Sequence, residues 1–293
     1  MTAAADRRAD GTAEAAGSQD KGAGRLRSRT RRLLEAVAFV TVWIALGYAL
    51  PVSSEAYLLL GVPLTAGFQR LVRRRPLREL WVRRSDGTAF GRRGLLLTGA
   101  LLLTPAYVGL SAWEADSWSL RGWWLAAVLG AGLAAFALRA SSISAVLRSA
   151  APPTVIGAGA MALGLGGIHL VSGAPIDVLT VAGTVARYLA LYFPVTFVLE
   201  EVTFRGALDS HVHRPGEPRG WRSAVLVSVL WGLWHLPVSG GMPLPYLVLE
   251  LIAWHSLVGV PLSLAWRRSG NLAGPALAHA AIDAVRNGLL LGL

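Results

Sequence analysis

The stretch LPYLVLELIAWHSLVGVPLSLAWRR, residues 244–268, decides the fold. Before its closing Arg267-Arg268 it holds one acidic side chain, Glu250, and one imidazole, His255. A bilayer-crossing helix needs about 20 mainly apolar residues, so this is a span that ends on a basic clamp. Runs near that length also occur at about 33–50, 56–69, 94–112, 123–138, 154–172, 188–212, 221–238 and 271–291. The run at 56–69 is short and that at 188–212 is polar, so the pattern predicts an all-α, polytopic transmembrane bundle of eight or nine spans. Pro51, Pro152-Pro153, Pro215, Pro218, Pro237 and Pro243 fall at or between these runs, where helix breakers belong.

Composition agrees. Of 293 residues 54% are hydrophobic and 15% charged, against roughly 25% charged in an ordinary soluble domain. That excludes a disordered chain and argues against a water-soluble globule. The net charge of +11 comes from 28 basic residues, all arginine except Lys21, against 17 acids. Nucleic-acid binders carry such an excess as patches on a polar surface. Here it sits in short clusters between apolar runs, so a nucleic-acid partner is not expected. The absence of cysteine removes disulfides, thiolate metal sites and cysteine nucleophiles.

Taken alternately, the loops separate by charge. The N-terminal tail, 70–93, Arg139 with Arg148, 205–222 and Arg267-Arg268 are basic. The loops 51–55, 113–122, 172–187 and 237–243 hold Glu55, Glu114, Asp116 and Asp177 against Arg121 and Arg187. Basic loops stay cytoplasmic, which predicts a cytoplasmic N-terminus and, with nine spans, an external C-terminus. Residues 1–32 read as a disordered basic tail leading into an uncleaved first span, since the run after Arg31-Arg32 is too long for a signal peptide. Residues 33–177 are then N-terminal membrane helices and 178–293 a second unit. The run from Gly157 to Gly167 reads as a close helix-packing surface.

Ionisable groups inside spans mark function by default. They are Arg187, Glu200, Glu201, Arg205, His235, Glu250, His255, His279, Asp283 and Arg286, with His169 near a span end. At 100° per residue Glu201 and Arg205 share a face and pair, leaving Glu200 free. Trp231 and His235 lie one turn apart, as do His279 and Asp283. Glu200 lies 13 residues from His213, His235 14 from Trp221 and His279 11 from Arg268, which puts all three about 16–21 Å above one membrane boundary. Pro194 kinks the helix of Glu200 and frees carbonyls nearby, a device used where a cavity is lined.

A carboxylate and two imidazoles at one depth suit water activation. Either Glu200, assisted by His235, deprotonates a water that attacks a peptide carbonyl while His279 and Asp283 hold the oxyanion, or Glu200, His235, His279 and Asp283 ligate a zinc ion that acidifies the water.

Glu-Glu-x-x-x-Arg at 200–205, aromatic-x-x-x-His at 231–235 and His-x-x-x-Asp at 279–283 resemble the three motifs of the CAAX prenyl protease and bacteriocin-processing (CPBP, or Abi) family of intramembrane proteases. The lead-in from Gly259 to Pro275 is similar too. The resemblance covers about 188–287; Trp231 stands where Phe is common, and Asp283 where Asn is common. It implies that 178–293 is a catalytic core acting on a membrane-proximal peptide bond. Glu200 would be the base and His235 its partner, with His279 and Asp283 completing the site and Glu201, Arg205 and Trp231 in support. The family has been described both as metalloproteases and as glutamate-dependent proteases. The metal-free version is favoured here, with zinc as the alternative. Asp283, when ionised, cannot donate to an oxyanion and is expected to orient His279. The expected setting is a bacterial cell membrane, with the bilayer and a peptide or protein substrate as partners. The competing readings are a non-catalytic membrane scaffold or immunity protein and a proton-coupled transporter. Two further expectations are that Glu250 pairs with Arg286, and that His169, His211, His213 and His255 are interfacial or packing residues.

Overall fold

The computed structural model describes residues 29–83, 91–213 and 220–291. The basic tail up to residue 28, together with Arg84, Arg214, Arg219, Pro215 and Pro218, lies outside the described residues. The described chain is helical, with one isolated β-bridge between Val82 and Asn271.

The helices follow the apolar runs in order: α1 (Arg29–Ala49), α2 (Ser54–Gly67), α3 (Arg92–Glu114), α4 (Trp118–Arg139), α5 (Ile143–Ser172) and α6 (Val178–Thr196). The chain of α6 runs on through a π-helical segment, Phe197–Asp209, into the short turn α7 (Ser210–Val212). Then come α8 (Trp221–Trp234), α9 (Leu244–Ser269) and α10 (Ala273–Leu290). Local chemistry sets the starts: Ser53, Ser117, Ser142 and Asp177 each accept a backbone N–H of the first turn. Gly173 and Gly270, both left-handed, close α5 and α9.

Six helices are long and apolar enough to cross a membrane: α1, α3, α4, α5, the continuous Val178–Val212 and α9. This is fewer than the eight or nine the sequence predicts. α2 and α8 have 14 residues each, about 21 Å at 1.5 Å per residue, shorter than the roughly 30 Å hydrocarbon core. α10 carries His279, Asp283 and Arg286 along its 18 residues. These are helices of the interior: α10 packs between α5 and α6, and α8 packs on α9. The proline expectation also needs correction at one place. α5 begins at Ile143 and runs through Pro152-Pro153, because the Ser142 cap starts the helix nine residues ahead of the pair.

The basic segments meet at one end of the bundle. Arg32 donates to the carbonyl of His211 and Arg73 to that of Gly206. Arg83 N–H bonds Gly270 O at 2.9 Å, and Asn271 Nδ2 bonds Ala137 O at 2.7 Å. The Arg267–Asp209 pair, 2.6 Å, ties α9 to the base of the π-helical segment. Nearer the other end, Trp43, Tyr57, Phe204 and Trp234 form an aromatic cluster. There the Tyr57 hydroxyl donates to Trp234 O, 2.8 Å, one of the carbonyls a helix end leaves unpaired. That bond anchors α8 immediately before His235. The run Gly157–Gly167 is a packing surface only at its start. A Cβ on Gly157 would lie 2.3 Å from Ile282, whereas Gly159, Gly164, Gly166 and Gly167 meet nothing within 4 Å.

Candidate active site

Three helical segments supply the polar cluster the sequence isolates. The π-helical part of the α6 chain carries Glu200, Glu201 and Arg205; α8 carries Trp231 and leads into His235; α10 carries His279 and Asp283. Apart from Glu200, Asp283 and the partly exposed His235, these side chains are buried.

Trp231 is the hub. Its indole N–H donates to Glu200 Oε2 at 2.7 Å, and the Arg205 guanidinium lies over its face, 4.1 Å from the centroid. The imidazoles of His279 and His255 meet it edge-on, with centroids at 5.0 and 4.6 Å. His235 Nδ1 donates to Trp231 O at 2.9 Å, which in the neutral ring puts the lone pair on Nε2. That Nε2 stands 3.8 Å from Glu200 Oε2, beyond direct hydrogen-bond length and suited to a shared water.

Glu201 and Arg205 pair as the spacing requires, at 3.1 Å with both side chains fully buried. The pair is not closed, however. Glu201 Oε1 also accepts His279 Nδ1–H at 2.9 Å, so this carboxylate serves the second imidazole as well. Asp283 lies farther from that ring, 3.5 Å from Nε2, and shares its carboxylate with Arg286 at 3.4 Å. Glu201 is therefore the closer orienting group for His279, a role the sequence assigns to Asp283. Arg286 is paired with Asp283, and no ion pair joins it to Glu250 among the described residues. Both line the same cavity.

His255, read from sequence as packing, belongs to the cluster. It is 6% exposed, its ring centroid is 4.4 Å from that of His235, and its Nδ1 donates to Leu251 O at 2.7 Å. The approach depends on Gly232, where a Cβ would come within 2.4 Å of Leu251 O. Depth counting finds it: His255 lies 12 residues above Arg267, about 18 Å, level with the other three. The remaining histidines stay apart from the site. His169 bonds Leu289 O and Ala174 O, and His211 bonds Glu35.

A cavity of about 1040 Å³ opens onto this cluster. Glu200, His235, His255, His279 and Asp283 line its polar part, and Leu58, Met161, Leu165 and Trp254 are among its apolar walls. It continues to Ser239 and Gly240, beyond α8, at the end away from the arginines. Such a chamber admits an extended peptide segment and shelters a charged reaction from lipid. As a zinc site the set fits poorly. His279 Nδ1 is committed to Glu201, and no three His, Asp or Glu side chains among the described residues converge as a metal needs.

Residues 181–285 match the family model described as Type II CAAX prenyl endopeptidase Rce1-like. No curated protein and no solved structure gives a significant match. The matched segment spans Glu200, His235, His255, His279 and Asp283 together. Over residues 181–285 the chain is therefore similar to the Rce1-like family of type II CAAX prenyl endopeptidases, in keeping with the motifs read from its sequence.

Proposed function

We propose that this integral membrane protein is an endopeptidase that cleaves a membrane-proximal peptide bond with a water activated by Glu200 and His235. The observation that carries the reading is the facing pair, Glu200 Oε2 and Nε2 of His235, 3.8 Å apart at the wall of a large, mostly apolar cavity. A water between them gives its proton to Glu200 as its oxygen attacks the carbonyl carbon. His279, whose Nδ1–H is held by Glu201, donates Nε2–H to the developing oxyanion. The proton on Glu200 passes to the leaving amine nitrogen as the C–N bond breaks. This route uses no metal. We place the arginine-rich end in the cytoplasm of a bacterial cell, with α2, α8 and α10 embedded alongside the six long helices.

The test is cleavage of a broad peptide library by purified protein in detergent and in bilayers. Glu200→Gln is expected to lower the rate at least about 100-fold, the scale of a lost general base, and chelation is expected to leave it unchanged. The reading is abandoned if cleavage is absent or does not depend on Glu200. A biological effect that survives Glu200→Gln would instead identify a scaffold.

A further inference from the structure

A second cavity, of about 420 Å³, lies at the arginine-rich end between the start of α5, the end of α9 and the start of α10. Its polar lining is Ser141, Arg148, Ser149, Arg268, Ser269 and Asn271, with no acidic residue. Neither Arg148 nor Arg268 makes an ion pair or hydrogen bond with any described residue, in contrast to Arg267, which is fully engaged by Asp209, Ser223 and Gly220. The Ser149 hydroxyl is buried and has no partner among the described residues. Gly274 makes room for it, since a Cβ there would come within 2.7 Å of Ser149 Oγ. Asn271 is already committed to Ala137, Ser141 and Ala273, so it shapes the wall and leaves binding to its neighbours.

Two unpaired guanidinium groups and an orphan hydroxyl around a concave, acid-free space are the donor set for a phosphate oxyanion. What lies beside the cavity identifies the source of that phosphate. Ile143, Leu147 and Val155 are 75%, 53% and 72% exposed and recur at four- and eight-residue intervals, so they form one apolar stripe down α5. The stripe passes Arg148 at Leu147 and leads on to Val155, along the helix away from the basic end, the course an acyl chain takes beneath its headgroup. We infer that this cavity binds the phosphate of an anionic glycerophospholipid, with the acyl chains laid along α5. The lipid would brace α5 and α9 against α10, the helix that carries His279.

Native mass spectrometry of the detergent-purified full chain tests this, with phosphatidylglycerol and phosphatidylcholine as probes. One phosphatidylglycerol should be retained in preference to phosphatidylcholine. At about 1 kcal/mol per basic residue near an anionic lipid, Arg148→Gln or Arg268→Gln should each weaken retention about fivefold, and the pair about 25-fold. Arg222→Gln, an exposed arginine at the same end, should leave it unchanged. Should the double variant unfold, the single ones carry the test. Equal retention of the two lipids, or equal loss in Arg222→Gln, overturns the inference. So does displacement of phosphatidylglycerol by millimolar inorganic phosphate, which would identify a free-anion site.

Discussion

Trp231 stands where phenylalanine is common in the family motif, and the indole N–H on Glu200 Oε2 is what the larger ring adds. Trp231→Phe keeps most of the stacking with Arg205 and His255 but removes the donor to a partly buried carboxylate. A hydrogen bond to a charged group contributes about 1.5–3 kcal/mol, and thermal unfolding should record a loss of that order. Cleavage should fall as well, because Glu200 loses the bond that aims it at His235. Glu201 presents a different case. Replacing it by Gln leaves the fully buried Arg205 without its counter-charge, and such a broken pair costs about 3–5 kcal/mol. Changing both partners together, Glu201→Leu with Arg205→Met, should restore much of that stability and none of the cleavage, since His279 stays without its Nδ1 acceptor. Recovery of cleavage in the double variant would show that Glu201 serves only to neutralise Arg205. The Glu201–Arg205 pair was legible from its i, i+4 spacing, and the chemistry-bearing residues from their cost inside apolar runs. The His279–Glu201 bond was not, because it joins side chains 78 positions apart and depends on how the intervening helices pack.

At the level of elements, the winding of Phe197–Asp209 adds to what an α-helical wheel gives for the two glutamates. Bonds of the i→i+5 type rotate each residue by less than 100°, so Glu200 and Glu201 diverge less and both reach the site, one toward α8 and the other toward α10. Pro194, which supplies no N–H, lies just before the change of winding. Its position was readable from sequence, but the helix type it leads into was not. The chain around Pro194 is seated closely against α4: a Cβ on Gly130 would lie 1.7 Å from Pro194 O, whereas one on Gly132 meets nothing within 4 Å. Gly130→Ala must therefore push α6 off α4, at about the 1–3 kcal/mol of an overpacked core, and move Glu200 relative to His235. Gly132→Ala should be tolerated. Matched unfolding and cleavage measurements on the two variants check this, and equal behaviour would show that the contact does not position the site.

For the whole molecule, the separation of charge between loops is the feature that sequence and structure state in the same terms. Arginines at 32, 73, 83 and 267 are joined to one another's neighbourhoods at one end, while Ala115, with Asp116 beside it, and Gly240 lie at the other. Among the described residues the nine apolar runs became nine helices besides the short turn α7, but only six meet the length and composition of a span. Hydropathy sees a run's length and cannot tell a lipid-facing helix from one enclosed by its neighbours, as α8 and α10 are. The cavity's extension to Ser239 and Gly240 then makes orientation a functional matter, since it decides from which side a substrate enters. The chain contains no cysteine, so single cysteines can be introduced without removing any. With basic loops held in the cytoplasm, Ala115→Cys and Gly240→Cys should react with a membrane-impermeant maleimide in intact cells. Ser144→Cys, exposed at the arginine-rich end, should react only after permeabilisation. The reverse pattern would put the arginines outside and turn the mouth of the catalytic cavity toward the cytoplasm, so that its peptides would come from cytoplasmic segments of membrane proteins.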